Sequence, residues 1–235
     1  MIIAGKLWPV LMSFLIALVA FGTMLVLTNL PLLSLLQLKS LDLLFLFRGR
    51  LSPPPEIVIV AIDEPSFAEI SKQWPWPRGL HARLLEQLNQ AGAKVIGFDI
   101  LFAEPSDPAE DQALERAIGK AGNVVLVSDW TAVDDPLFLH TIWVDPIPAF
   151  KQVAQVGVTT LWIDPDGTVR RALLLSPDLP SFPAQIVRRS LAPRTRGIHP
   201  AEWKRWSKAE LSKEALINYL GPPRTVKTVS YLSGA

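Results

Sequence analysis

The first pattern along the chain is a long apolar run near the amino terminus. No charged side chain occurs between Lys6 and Lys39. A helix needs about 20 apolar residues to cross the hydrocarbon layer, so residues 7–27 are predicted to form a membrane-spanning helix. The alternative is a signal peptide with a small-x-small cleavage site at Ala20-Phe21-Gly22. The apolar run continues well beyond that site, which favours an uncleaved anchor.

Three parts follow from this pattern. Residues 1–36 are interpreted as the transmembrane anchor, residues 37–52 as a juxtamembrane helix, and residues 53–235 as a folded domain. Three consecutive prolines at residues 53–55 mark the last boundary, because each proline fixes φ and removes a backbone donor. Basic residues flank both ends of the apolar run, and their count slightly favours a cytoplasmic domain.

Beyond the prolines, β-branched runs alternate with helical patterns. Short apolar runs within residues 57–62, 94–99 and 123–127 are typical of strands buried on both faces. Apolar residues at helical spacing lie between them, at residues 80–90 and 107–120. This alternation predicts an open sheet with helices packed on its faces.

The second half predicts an antiparallel edge to that sheet. Residues 155–160 and 168–174 bracket an Asp-Gly turn, which is the pattern of a β-hairpin. Residues 181–191 predict another helix, and the polar, Trp-containing stretch at 201–215 predicts a surface excursion. The predicted fold is therefore α/β. It comprises an N-terminal transmembrane helix and one open, mostly parallel sheet with helices on both faces and antiparallel edge strands.

Composition and motifs exclude several classes of function. The 23 Lys and Arg residues against 22 Asp and Glu give a net charge of +1, too small a field to indicate nucleic-acid binding. With no cysteine, the chain has no disulfide, thiolate zinc site or cysteine nucleophile. The three histidines are isolated, and the Walker, G-x-S-x-G and dinucleotide-binding motifs are missing. No catalytic residue and no cofactor is predicted.

Acidic residues follow the first two predicted strands. Asp63 and Asp99 end these strands, and Glu104 lies a few residues further on. Sites in open α/β sheets lie at the carboxyl ends of the strands, where three carboxylates would offer the oxygen ligands that Mg²⁺ and Ca²⁺ prefer. The alternative is structural, since such carboxylates often accept backbone N–H groups and shape the loops after their strands. No metal is assigned; if one binds, these three residues are its predicted ligands.

An aromatic, proline-rich segment lies on the same rim. It reads WPWPR and contains Trp74, Trp76 and Arg78. The indoles are placed to stack on a small ligand while Arg78 binds its carboxylate or phosphate. Alternatively, the prolines hold both indoles as a lid over the sheet edge, with Arg78 paired to Asp63 or Asp99. The candidate ligand-binding residues are Asp63, Trp74, Trp76, Arg78, Asp99 and Glu104.

Several segments, in the same order along the chain, resemble the CHASE2 family. They are SLDLLFLFRG, IVIVAIDEPS, WPWPR, GAKVIGFDILFAEP and GNVVL, followed by DPDGTVRRALL, SFPAQIVRR, INYLGPP and TVSYL. The resemblance covers most of the chain after about Gln37. It implies an extracytoplasmic sensor between transmembrane helices, with a cytoplasmic cyclase, histidine kinase or serine/threonine kinase as output. It therefore implies the opposite orientation to the charge count.

One departure from the family is evident at the carboxyl-terminal end. Family members continue beyond the TVSYL segment through further strands and membrane spans. This chain ends at Ala235 without a second long apolar run and without a cyclase or kinase motif. We therefore expect a C-terminally truncated domain whose incomplete sheet leaves an exposed edge.

The leading functional hypothesis is the input domain of a bacterial receptor. The domain would bind an unknown small-molecule or environmental signal outside the cytoplasm and transmit it through the helix of a single-pass protein in the cell membrane. The juxtamembrane Leu/Phe face would pair two copies in a homodimer. One alternative is a membrane-tethered, metal-dependent hydrolase that uses the acidic rim. The other is a structural dimerisation module that senses nothing.

Overall fold

The computed structural model describes residues 4–28, 31–135, 138–159, 161–173, 180–191 and 214–234. The helices are α1 Ala4–Thr28, α2 Pro31–Arg48, α3 Glu64–Glu69, α4 Arg78–Gln90, α5 Pro108–Ala121, α6 Pro148–Val153 and α7 Phe182–Leu191. The strands are β1 Val58–Ala61, β2 Ile96–Phe98, β3 Val124–Asp135, β4 Phe138–Val144, β5 Gln155–Val158, β6 Leu161–Ile163, β7 Val169–Leu173, β8 Glu214–Leu216 and β9 Lys227–Ser230. A 3₁₀ turn over Tyr231–Gly234 follows β9. The predicted surface excursion at 201–215 lies, up to residue 213, outside the described residues.

The chain divides into two units, of which the first contains α1 and α2. This unit comprises Met1–Leu51 together with Pro165–Gly167 and Tyr219–Gly221. Within it, the Phe45 and Tyr219 rings meet edge to face with their centroids 6.2 Å apart. Lys39 Nζ also lies 2.9 Å from Asp166 Oδ2. These contacts attach two short outlying segments to α2.

The N-terminal helices do not match the predicted membrane span. Across the described parts of the chain, no helix combines the length and the apolar character that crossing a bilayer requires. The predicted N-terminal transmembrane helix is therefore wrong.

The second unit, Ser52–Asp164, Thr168–Asn218 and Pro222–Ala235, is α/β with mixed sheets. β2, β3 and β5 are parallel in that order, and the distal half of β3 pairs antiparallel with β4. β6, β7 and β8 form a separate antiparallel sheet. β1 pairs in parallel with β9. The prediction of one open sheet is wrong, because apolar runs identify strands but not their partners.

The predicted hairpin is confirmed in its turn but not in its first strand. β6 and β7 pair antiparallel on either side of the Asp-Gly turn, where Gly167 has a φ of +79°. The first strand is Leu161–Ile163 rather than residues 155–160, since β5 has joined the parallel sheet beside β3. Both strands are short and apolar, so composition alone does not decide which of them turns back on β7.

The main core lies between the β2-β3 sheet and the helices α4, α5 and α6. Local signals set the ends of α5: the Asp107 carboxylate accepts from the N–H groups of Ala109 and Glu110, and Gly122 ends the helix in the left-handed conformation with a φ of +63°. The side chains at the centre of the core are completely buried; they include Leu85, Leu114, Ile118, Leu126 and Phe150. This packing fixes α4 and α5 against the sheet, and both helices carry side chains of the site described below.

Helix α7 packs very closely on the parallel strands. A Cβ atom on Gly97 would come within 2.8 Å of Phe182 Cζ, and one on Gly157 would come within 2.5 Å of Phe182 Cα. Real Cβ atoms are essentially never found that close to other atoms. The two glycines therefore allow the helix to lie against β2 and β5.

Candidate functional site

A cavity of about 830 Å³ opens beside the first strand of the second unit. Its walls come from the end of β1, the amino-terminal part of α4 and the loop that follows β2. The lining includes five of the six candidate residues, namely Trp74, Trp76, Arg78, Asp99 and Glu104. Residues far apart in sequence therefore meet at one site because β1 and β2 end near it.

Asp63 has a structural role instead. Its carboxylate caps α3 by accepting from the Ser66 N–H at 3.2 Å and the Ser66 hydroxyl at 2.6 Å. It also accepts from the hydroxyl of Ser230 on β9 at 2.8 Å. Hydrogen bonds from Ser66 and then Ser230 lower the pKa of the Asp63 carboxyl. Asp63 thus joins the ends of β1 and β9. This is the kind of structural role that the alternative interpretation gave it.

Arg78 is buried and its charge is already matched. Its guanidinium lies 2.5 Å from Asp111 in the first turn of α5 and donates a second hydrogen bond to the backbone carbonyl of Glu104. It also lies over the rings of Phe102 and Phe150, 5.4 and 5.1 Å from their centroids. The predicted pairing with Asp63 or Asp99 is wrong, because α5 brings a closer carboxylate to the guanidinium.

Three aromatic rings form one wall of the cavity. The Trp76 ring centroid is 5.2 Å from that of Phe67 and 5.4 Å from that of Trp74, with interplanar angles of 53° and 73°. Trp76 is only 2% exposed, whereas Trp74 and Phe67 are 41% and 44% exposed. The buried Trp76 Nε1 has no hydrogen-bond partner among the described residues. A buried N–H donor without an acceptor lowers the stability of the fold.

His81 also lines the cavity, and the sequence interpretation did not include it. Its Nδ1 lies 2.9 Å from the hydroxyl of Tyr231, and both side chains are 2% exposed. The signal that could have identified it is helical spacing: His81 shares the buried face of α4 with Leu84 and Leu85. Burial, and then the charge of Arg78, lower the pKa of His81 to about 4, so the ring is neutral at pH 7. Burial likewise raises the pKa of the Tyr231 hydroxyl.

Acidification is expected to destabilise the fold through His81. The unfolded chain protonates this histidine below its ordinary pKa of 6.5, whereas the folded chain resists protonation until about 4. The stabilisation is thus complete above pH 6.5 and is lost as the pH falls towards 4. We expect the free energy of unfolding to drop by about 2 kcal/mol between about pH 7 and about pH 5. Urea titrations at several pH values would measure this slope.

Two variants separate His81 from the other titrating groups. Tyr231→Phe removes the hydrogen bond, and about 1 kcal/mol with it, but keeps the buried histidine and therefore the pH slope. The double variant His81→Phe, Tyr231→Phe removes both polar groups and is expected to flatten the slope. An unchanged slope in the double variant would assign the acid sensitivity to a different group.

The acidic residues of the cavity do not assemble into a metal site. Asp99 and Glu104 are exposed at the cavity mouth, while the Asp63 carboxylate is engaged with serines elsewhere. Within the described residues, no three histidine, cysteine, aspartate or glutamate side chains are grouped as metal ligands. The geometry therefore gives no support to a metal-dependent hydrolase on this rim.

Comparison with known proteins identifies the family. The CHASE2 domain model matches residues 15–233, nearly the whole chain. No curated protein and no solved structure matches the chain. CHASE2 domains are extracytoplasmic sensor modules rather than catalytic domains. The resemblance seen in the ordered sequence segments is thus confirmed, and the chain belongs to the CHASE2 family.

Proposed function

We propose that this domain is the input module of a bacterial receptor and that its signal is a small molecule bound in the cavity beside β1. The signal would be passed to a cytoplasmic cyclase or kinase. The observation that carries the proposal is the convergence of Trp74, Trp76, Arg78, Asp99 and Glu104 on one cavity. Ligand sites typically combine apolar walls with a few polar groups, and this cavity is lined by aromatic rings together with Arg78, Asp99 and Glu104.

The cavity is also suited to transmitting a signal. His81 contacts the cavity on one side and Tyr231 on the other, and Tyr231 begins the 3₁₀ turn after β9. A ligand that binds more tightly to one arrangement of this pair would shift the position of the turn. The energy available for signalling equals the difference in ligand affinity between the two arrangements.

Small-molecule binding is expected to depend on Trp74. A metabolite panel would be tested for compounds that raise the melting temperature of the chain, because a ligand that binds only the folded state stabilises it. Any active compound should lose most of its effect in Trp74→Ala, which removes a half-exposed cavity wall. The control is Trp130→Ala, a tryptophan that is 36% exposed and stacks on Trp143 instead. A compound that acts equally on both variants binds elsewhere and would contradict the proposal.

We further propose that α2 pairs with α2 of a second copy in a homodimer. Leu44 and Phe47 are 64% and 86% exposed. Contiguous exposed apolar side chains of this size often mark an interaction surface. Leu43 and Leu46 extend this patch, with exposures of 52% and 75%. A second α2 presents the same self-complementary surface, as a two-fold interface requires.

Cysteine crosslinking would test this pairing without background, because the chain has no cysteine. Leu44→Cys and Phe47→Cys are each expected to form a disulfide-linked dimer under mild oxidation, since facing side chains at a two-fold axis lie within disulfide distance. Ser52→Cys, beyond the helix, is the matched control and should remain monomeric. Failure of both α2 variants to crosslink would contradict the paired helix.

A further inference from the structure

The charges around the cavity define the kind of ligand that it accepts. Asp99 and Glu104 place two exposed carboxylates in its lining. Arg78 is the one cationic side chain among the described lining residues, and Asp111 neutralises it. His81 carries no charge at pH 7. The lining therefore presents net negative charge to a ligand, which favours cations and disfavours anions.

An anionic ligand is disfavoured on geometric grounds as well. One terminal nitrogen of Arg78 faces the Asp111 carboxylate and the other donates to the Glu104 carbonyl. Bidentate hydrogen bonding to a carboxylate or phosphate ligand uses two such donors. Forming it would require Arg78 to leave both partners, so that the Asp111 carboxylate would lose its counter-ion.

The aromatic wall complements the carboxylates. Trp74 and Phe67 line the cavity and are 41% and 44% exposed, and the buried Trp76 ring packs against both of them. An ammonium group is attracted to aromatic faces, most strongly to tryptophan, and this attraction grows as water is removed.

From this combination we infer that the cavity binds a small organic cation, an amine or quaternary ammonium compound. Trp74 and the carboxylates of Asp99 and Glu104 recognise its charged group. The inference rests on the proposed sensor function and names the chemical class of its signal.

The test uses choline and its uncharged carbon isostere 3,3-dimethylbutan-1-ol, together with the anion 3,3-dimethylbutanoate. All three would be titrated against the whole chain by calorimetry at low salt. Choline is expected to bind at least about tenfold more tightly than the alcohol, a difference that corresponds to about 1.4 kcal/mol. The anion is expected not to bind. Putrescine, a primary diamine, distinguishes recognition of ammonium in general from recognition of quaternary ammonium.

Variants locate the binding. Trp74→Ala and Asp99→Asn are each expected to weaken choline binding about tenfold, and Trp130→Ala to leave it unchanged. Both cavity residues are exposed, so these variants should fold, and their unfolding curves would verify it. Raising the salt concentration should weaken binding to the wild type and much less to Asp99→Asn.

Two kinds of failure are distinguishable. Equal binding of choline and the alcohol, or tighter binding of the anion, would overturn the cation inference. So would no binding of either cation up to about 10 mM, where a ligand with a Kd of about 1 mM is nearly saturating. In these cases a neutral or anionic metabolite that stabilises the wild type but not Trp74→Ala would leave the sensor function intact. A metabolite panel without any such compound would count against the sensor function itself.

Discussion

Replacing Arg78 by methionine is expected to cost the fold about 3–5 kcal/mol, because it leaves a largely buried carboxylate without its counter-ion. The Asp111 side chain is only 16% exposed and has Arg78 as its ion-pair partner at 2.5 Å. The Glu104 carbonyl would lose a donor in the same substitution. Methionine fills most of the volume between the Phe102 and Phe150 rings, so the loss reports mainly on charge.

Urea unfolding would measure this loss against a matched ion pair at the surface. Lys151 and Asp145 are also 2.5 Å apart, but their side chains are 44% and 33% exposed. Lys151→Met is expected to cost less than about 1 kcal/mol. The double variant Arg78→Met, Asp111→Leu should recover a large part of the loss, since it removes the stranded charge. Equal losses in Arg78→Met and Lys151→Met would show that the buried pair contributes no more than a surface pair.

Gly157→Ala is expected to destabilise the domain by about 3 kcal/mol, because its new methyl group would collide with backbone. The added Cβ would lie 2.5 Å from Phe182 Cα and 2.8 Å from Phe182 N. A flexible side chain could rotate away, but these atoms open α7 and can move only with the helix. The helix would have to retreat from β5, which would also loosen its packing on β2 and β3.

Gly119→Ala provides the control for that substitution. Gly119 lies inside α5, and its added methyl group would meet Val153 Cγ1 at an ordinary 3.6 Å. Removing a glycine from a helix interior is expected to stabilise the fold by about 0.5–1 kcal/mol. The two Gly→Ala substitutions should therefore change stability in opposite directions. Destabilisation of similar size in both would indicate a general intolerance of added volume rather than the close approach of α7.

Elements with local signals were predictable from the sequence. The α5 helix begins at an Asp-Pro cap and ends at Gly122, and α4 carries its apolar residues at helical spacing. Such signals act within a few residues and need no knowledge of the rest of the chain. Strand pairing is not set by such local signals. β1 has the composition of a strand buried on both faces, yet Val58 and Ile59 are 45% and 47% exposed because its described partner is β9 alone.

The candidate site likewise has a part that was predictable from the sequence and a part that was not. Its rim was predictable from the ends of β1 and β2, which explains why five of the chosen residues line one cavity. The partner of Arg78 was not predictable, because it depends on how α5 packs beside α4. His81 was missed because a lone histidine on an apolar helical face gives no chemical signal until Tyr231 is seen beside it. Sequence patterns therefore predict which residues lie near the site, but tertiary contacts decide what each residue does there.

The pairing of β1 with β9 has a consequence for synthesis of the chain. Asp63 and Ser230, which join the ends of these strands, are 167 residues apart. At about 5–20 residues per second, the ribosome needs roughly 8–33 s to supply the second partner after the first. During that interval the apolar edge of β1 has no partner strand, and such edges readily pair with other chains. The nascent protein should therefore depend on a holding chaperone until β9 emerges.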